Sequence, residues 1–169
     1  LFQLAEETSS DARGRLLHAV TDLFFHDPDP TVMSKHHYGE IALRSLPHLD
    51  TEARQTYADE VAAEPNLPRS VANALAGDPE SEVARLVLRL SPVLTDGDLA
   101  AIALNQSQGH LAAIAERARL SESVTDILVE RGDNGVLTTV GGNEGASFSE
   151  TGFDRLLERG RDAPEIHKA

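Results

Sequence analysis

A unit of two short helices recurs along the second half of this chain at an interval of about 27 residues. Four segments begin with an apolar residue that is followed by an apolar pair at helical spacing, and they are Leu67–Ala76, Leu94–Ala103, Leu120–Val129 and Phe148–Leu157. A second apolar segment follows each of the first three, around Val83, Leu111 and Val136. Because a helix pair this small cannot bury its apolar face alone, neighbouring pairs must stack. The repeat therefore predicts an all-α protein.

Residues typical of helix ends divide the chain into segments of helical length. Helix starts are expected at Ser10, the pair Pro30 and Thr31, Asp50 or Thr51, Pro68, Asp78 with Pro79, Thr95, Gly109, Ser121, Asn134 and Ser149. Thr95 with Asp98 fits a capping box, and Gly77 and Gly132 suit left-handed helix C-caps. Very short turns force successive helices to pack as hairpins. The pattern predicts a right-handed α-solenoid of short antiparallel helix pairs, HEAT/armadillo-like but with a shorter period, containing about ten helices.

The regular repeats cover only part of what we expect to be a single HEAT-like repeat domain over residues 1–169. Residues 1–9 are interpreted as the tail of a preceding helix, residues 10–66 as irregular N-terminal helix pairs, and residues 67–162 as the regular repeats. Because the chain opens at Leu1 rather than at a methionine, we interpret it as a fragment of a longer protein. In the first long helix, the apolar face predicted to meet the core comprises Leu16, Leu17, Val20, Leu23 and Phe24.

The charge of the chain restricts its partners. Acidic residues outnumber basic ones by 28 to 15, which gives a net charge of −13, and tryptophan is absent. Such a field repels nucleic acid and anionic membrane surfaces, and there is little aromatic material for stacking on bases. Without cysteine there are no disulfides or thiolate metal sites, and no apolar run is long enough to span a bilayer. We therefore expect a cytoplasmic protein that binds neither nucleic acid nor membrane.

Several stretches resemble a known bacterial family. They are Leu75–Asp78 (LAGD), Glu82–Arg85 (EVAR), Leu90–Leu99 (LSPVLTDGDL), Ala113–Leu120 (AIAERARL) and Val124–Asp133 (VTDILVERGD), with Asn143, Ala146 and Ser149 near the end. From about Ala12 onward the chain is similar to the family called domain of unknown function 2336. The resemblance implies a fold of HEAT-like helical repeats, and it implies no particular activity. Gly141 and Gly142 depart from the pattern, since they lie where a repeat helix should be firm.

Candidate metal and phosphate motifs each have a simpler structural interpretation. His18, Asp22 and His26 share one helix face, with His36 and His37 on the next helix, but this row points away from the predicted core and is typical of a solvated stripe. The acidic pairs in DPDP and DGD lack the glycine and glutamate of a calcium loop. The glycine-rich stretch 141–145 lacks the lysine of a P-loop, so it is interpreted as a flexible inter-helix loop.

No catalytic set is apparent in the sequence. Signatures of nucleophilic hydrolases and of zinc proteases are absent, and the isolated His110 is interpreted as a capping or packing residue. We therefore expect no enzyme activity, no cofactor and no bound metal.

Five arginines in the repeats form the candidate site, as a surface for an anion or a partner: Arg85, Arg89, Arg117, Arg119 and Arg131. Arginine outnumbers lysine by 13 to 2 in the chain, which suits forked pairing with carboxylates. One interpretation is an inter-repeat ladder with the acidic residues Asp78, Asp98, Glu116 or Asp133. The other is a groove along one helix layer that binds an anion or an acidic peptide.

Three functional hypotheses are compatible with these sequence features. The favoured one is a non-enzymatic scaffold that binds a protein partner or another domain of the same chain, because repeat arrays expose long surfaces. The first alternative is a regulatory module that binds a small anion or nucleotide through the arginines. The second is an enzyme on a HEAT-like scaffold, which the acidic charge and the missing catalytic set disfavour. The sequence leaves the oligomeric state undetermined.

Overall fold

The computed structural model describes the backbone of residues 2–161 and the side chains of residues 10–161, and this part of the chain is all-helical. Ten α-helices occur in it: α1 Phe2–His26, α2 Val32–Ser45, α3 Thr51–Val61, α4 Arg69–Ala76, α5 Ser81–Leu90, α6 Asp96–Asn105, α7 Gln108–Ala115, α8 Glu122–Arg131, α9 Asn134–Gly141 and α10 Glu150–Arg161. A 3₁₀ turn, Leu46–His48, follows α2. Within the described range the β-structure amounts to one bridge, between Leu120 and Ala146. The predicted all-α class is confirmed, and so is the prediction of about ten helices.

Side-chain caps explain where most of these helices begin. Thr31, Asp50 and Ser121 each accept a hydrogen bond from a backbone N–H in the first turn of α2, α3 and α8. At α6 the capping box is complete, since Thr95 accepts from the Asp98 N–H and the Asp98 carboxylate accepts from the Thr95 N–H. These four predicted starts are confirmed.

The repeat is visible in the positions of the helices. Helices α4, α6, α8 and α10 each begin two residues after the leading apolar residue of their segment. Of the leading residues, Leu67, Leu94 and Leu120 are buried. Three buried residues open the second helices as predicted, and they are Val83, Leu111 and Val136. The interval of about 27 residues therefore belongs to a structural unit of two helices.

The helices fall into two compact units. Unit 1 contains the chain up to Val87 together with Ser91–Val93, and unit 2 contains Leu88–Leu90 together with the chain from Leu94 onward. In unit 1, α1 packs on α2 and α3, and α2 packs on α4. In unit 2, α6 packs on α8 and α8 on α10, while α7 packs on α9. Helices of the same position in successive pairs are therefore neighbours within unit 2.

The buried face of α1 differs from the predicted one. Leu17 and Thr21 are buried, whereas Leu16 and Leu23 are 61% and 76% exposed. The difference comes from buried hydrogen bonds. The Thr21 hydroxyl lies 2.9 Å from the Tyr38 hydroxyl, and the Tyr38 hydroxyl lies 2.6 Å from the Tyr57 hydroxyl. Burial raises the pKa of both tyrosines, so these hydroxyls stay protonated and bonded to one another. A hydrogen-bonded chain at this position turns the helix relative to a purely apolar face.

Several local predictions are wrong. Ser10 does not begin a helix, because α1 already starts at Phe2. Neither Gly77 nor Gly132 is left-handed: their φ angles are −90° and −66°. In the last repeat Phe153 and Leu157 are exposed, because Gly152, Leu156 and Gly160 form the buried face of α10.

Candidate functional site

Two of the five candidate arginines contact the C-terminal ends of α5 and α6, through atoms that all belong to unit 2. The Arg117 guanidinium donates a hydrogen bond to the carbonyl of Leu88 in the last turn of α5. Arg131 donates to the carbonyls of Ala103 and Gln106 at the end of α6. The last carbonyls of a helix have no partner within it and carry its negative dipole end, so a guanidinium is well suited to them. Both guanidinium groups are therefore directed towards helix ends.

Two residues outside the five candidate arginines make the same kind of contact. Arg159 of α10 donates to the carbonyl of Val129 in α8 at 2.7 Å. The amide of Asn143, just after α9, donates to the carbonyl of Ala115, the last residue of α7, at 2.9 Å and to that of Arg117 at 2.8 Å. Donor and acceptor lie 25 to 30 residues apart in these contacts. Each donor thus reaches back by about one repeat, and we call this set of contacts the carbonyl ladder.

The other three candidates are exposed. Arg89 lies 3.7 Å from Glu116 in a half-exposed pair. Burial raises the pKa of Asp59, and the charge of Arg85 partly offsets that rise. Arg119 lines a polar hollow beside the start of α8. Of the predicted ladder with acidic residues, the structure shows the Arg89–Glu116 pair, while backbone carbonyls take the place of carboxylates for Arg117 and Arg131. Asp78 instead pairs with Arg54, 2.8 Å away.

Replacing Arg131 by methionine tests the carbonyl ladder. Methionine keeps most of the apolar stem but leaves the two carbonyls of α6 without their charged donor. Hydrogen bonds to a charged group contribute roughly 1.5–3 kcal/mol, so we expect the free energy of unfolding to fall by about 2 kcal/mol in urea titration. Arg119→Met is the matched control and should change it by less than about 0.5 kcal/mol. Equal losses in the two variants would contradict the ladder.

The segment between α9 and α10 is tied down rather than loose. Asn143 accepts from the N–H of Gly145, and Leu120 exchanges backbone hydrogen bonds with Gly145 and Ser147. Ser149 donates to Asp126 at 2.6 Å. The interpretation of residues 141–145 as a flexible loop is therefore wrong, and Gly141 ends α9 instead of interrupting it. Asn143, Ala146 and Ser149, which carry part of the family resemblance, all belong to this network.

A cleft in unit 1 separates α1 from α3, with a volume of about 630 Å³. Its floor is apolar and consists of the buried side chains of Leu17, Leu49 and Tyr57 with Gly14 and Ala53. Its rim is charged and exposed, and comprises Asp11, Arg15, His18, Asp50, Glu52 and Glu60. We call this feature the α1–α3 cleft. An apolar floor with a few polar groups at the edge is the usual composition of a binding site in proteins.

Gly14 keeps the α1–α3 cleft open. It lies inside the 25-residue helix α1, where a glycine costs about 1 kcal/mol of helix stability relative to alanine. No neighbour forces this choice, because a Cβ added there would meet a single atom, Leu49 Cδ2, at the ordinary contact distance of 3.9 Å. A larger side chain at this position would project into the cleft instead of clashing with the core.

A second, smaller hollow continues along α1 and shares Glu60 with the cleft. It is lined by Thr21, Asp22, Phe25, His26, Glu60 and Glu64. Together the two hollows present six carboxylates against one arginine and two histidines. Since the lining residues of α1 run from Ser10 to His26, the combined groove is about 24 Å long at 1.5 Å per residue.

One group of possible metal ligands occurs among the described residues: His18, Asp22 and Glu60. His26 of the predicted row is replaced here by Glu60 from α3. The two ring nitrogens of His18 face different carboxylates, with Nδ1 3.1 Å from Glu60 and Nε2 3.3 Å from Asp22. The hydrogen bond to Glu60 and the charges of Glu60 and Asp22 raise the pKa of His18. Because a metal needs a neutral imidazole, this arrangement fits an ion pair between α1 and α3 better than a metal site.

The remaining histidine candidates have structural surroundings. His110 is fully buried in α7, and its Nδ1 lies 2.7 Å from the Ser107 hydroxyl, as expected of a capping or packing residue. His36 is exposed and pairs with Glu40 on the same helix.

Unit 2 defines a class of all-helical proteins in which short helix pairs have their ends closed by side chains from the next pair. Within this class, the chain belongs to the bacterial family domain of unknown function 2336. The family model, described as an uncharacterised protein conserved in bacteria, matches residues 83–169. This confirms the resemblance over α6 to α10, while Leu75–Asp78 precedes the match. No curated protein and no solved structure matches the chain. Between residues 2 and 161, no helix combines the length and apolar character needed to cross a bilayer.

Proposed function

We propose that this protein is a non-enzymatic helical-repeat scaffold that binds a protein partner or another domain of its own chain. Its helix pairs are proposed to continue as a right-handed α-solenoid. The observation that carries the proposal is the carbonyl ladder, because it commits the polar side chains at the helix ends to joining successive pairs. Function then falls to the surface residues of the pairs, which is the usual arrangement in repeat proteins.

The composition of the candidate surfaces supports the same proposal. The α1–α3 cleft combines an apolar floor with an exposed charged rim, and its histidine is held in an ion pair that favours the protonated ring. Such a ring is a poor general base near neutral pH. A mixed apolar and charged groove is the kind of surface on which proteins recognise peptides and helices.

The alternative is a regulatory module that binds a small anion or nucleotide. It is supported by the polar hollow in unit 2 beside the start of α8. Arg119, Ser121, Asp96 and Glu144 are among the residues that line this hollow. Helix N-termini and an exposed arginine both favour anions, but the two carboxylates in the lining oppose them. Arg117 and Arg131 donate hydrogen bonds in the carbonyl ladder, which further weakens this alternative.

Affinity capture followed by reconstitution tests the scaffold. Proteins enriched from a bacterial lysate are purified and titrated against this protein by calorimetry, and we expect a saturable complex with defined stoichiometry. In parallel, nucleotides and phosphates are screened by thermal shift, where a ligand at a hundred times its dissociation constant stabilises by about 2.7 kcal/mol. A strong shift with a nucleotide, combined with the loss of every protein partner on purification, would contradict the scaffold and support the alternative.

A further inference from the structure

We propose that the α1–α3 cleft, with the hollow that continues it along α1, binds a basic amphipathic helix of a protein partner. This inference rests on the proposed scaffold function and specifies one surface and one chemistry of partner. Three independent features of the groove carry it: its charge, its open floor and its length.

The charge of the groove selects a cationic partner. Of its acidic side chains, Asp11, Asp22 and Glu52 are exposed, and Arg15 is the single arginine of the lining. An excess of carboxylates attracts lysine and arginine side chains and repels anionic surfaces. A second copy of this chain is a poor occupant, because the chain itself carries a net charge of −13.

The floor of the groove selects an apolar face on that partner. Leu17, Leu49 and Tyr57 lie at the bottom of the cleft and are at most 4% exposed, and the partly exposed Gly14 and Ala53 complete its apolar lining. Gly14 leaves this surface open, although nothing in the surrounding packing excludes a side chain there. A glycine that weakens a helix without a steric reason is explained when its missing side chain makes room for a ligand.

The length of the groove suits a helix better than a single side chain. Its lining extends along α1 for about 24 Å, the length of a helix of about 16 residues. A helix of that length with apolar residues at three- and four-residue spacing places one face on the floor and its basic residues at the rim. The groove thus specifies an amphipathic helix with a lysine- or arginine-rich polar face.

A pair of synthetic peptides tests this inference directly. The probe is a fluorescent peptide of about 18 residues made of leucine and lysine, with leucine at helical spacing, and the control has the same composition in scrambled order. Fluorescence anisotropy is expected to show binding of the amphipathic peptide that is at least about tenfold tighter than that of the scrambled one. Equal affinities would mean attraction by charge alone and would overturn the proposal.

Three protein variants localise the binding. Gly14→Leu fills the cleft without changing the charge, and Glu52→Lys reverses a rim charge. Each variant is expected to bind the amphipathic peptide with an affinity lower by about tenfold or more. The Tm of Gly14→Leu is not expected to fall. Asp154→Lys, on the exposed face of α10, makes the same charge change as Glu52→Lys and is expected to leave affinity within about twofold. If Asp154→Lys weakens binding as much as Glu52→Lys, or if Gly14→Leu binds normally, the cleft is not the site.

The same variants separate this inference from the proposed function. One outcome is that a partner isolated by affinity capture binds wild type and both cleft variants equally while the peptide does not bind at all. That result refutes the proposed cleft site but leaves the scaffold function intact. Failure to isolate any protein partner, with a nucleotide shift instead, refutes the scaffold.

Discussion

The Asp78→Ala variant is expected to lose about 2–3 kcal/mol of unfolding free energy, because it leaves a partly buried guanidinium without its counter-ion. Asp78 is 8% exposed, and both its carboxylate oxygens meet Arg54, at 2.8 and 3.4 Å. The same carboxylate accepts the N–H of Glu80 in the turn before α5. Arg54 also donates to the carbonyl of Leu49, so one contact joins three segments of unit 1. Urea titration of the purified variant measures the loss.

Two companion variants separate this effect from charge removal in general. Asp78→Asn keeps an oxygen for the Glu80 N–H and is expected to lose less than the alanine variant. Glu116→Ala removes the partner of Arg89, whose side chain is 47% exposed, and is expected to cost less than about 1 kcal/mol. A loss below about 1 kcal/mol in Asp78→Ala would show that Arg54 finds other partners at no cost.

The Gly145→Ala variant is expected to lose about 3 kcal/mol or more, because backbone atoms occupy the space of the new methyl group. A Cβ at this position would lie 1.8 Å from the carbonyl oxygen of Ala118. Relief of the clash must displace the segment that holds Asn143 and the bridge to Leu120, so several hydrogen bonds weaken together. Thermal unfolding followed by circular dichroism measures the loss as a lower Tm.

Gly97→Ala provides the control for the glycine substitution. Gly97 lies in the first turn of α6, where an added Cβ would meet only the Thr95 hydroxyl at 3.8 Å. The better helix propensity of alanine should leave stability unchanged or raise it by up to about 1 kcal/mol. A Tm for Gly145→Ala equal to that of wild type would mean that the close approach to Ala118 is not required for the fold.

The sequence predicted the helix pairs because their signal is local. Apolar spacing places Val71 and Leu75 on one helix face, and both are buried. Thr95 with Asp98 marks a helix start through atoms only three residues apart. The face of α1 was predicted less well, because the Thr21–Tyr38 contact depends on a second helix and favours a polar residue inside.

The contacts that define the sites join distant parts of the chain, and no local pattern announces them. Arg159 meets Val129, and Asn143 meets Ala115, only after two helices have been packed. The five candidate arginines were selected for their residue type, which cannot distinguish a guanidinium that closes a helix end, as in Arg131, from one in solvent, as in Arg119. Glu60 lies beside His18 because α3 packs against α1. The predicted row of His18, Asp22 and His26 on one helix gave no indication of it.

The carbonyl ladder also restricts which insertions a protein of this kind can accept. Each rung joins a side chain to a backbone group roughly one repeat earlier, so a duplicated stretch of about 27 residues brings its own donor and its own acceptor. Whole pairs can therefore be added or lost in evolution without redesigning the junctions. A single inserted residue within α8 would rotate the following side chains by about 100° and carry Arg131 away from the end of α6.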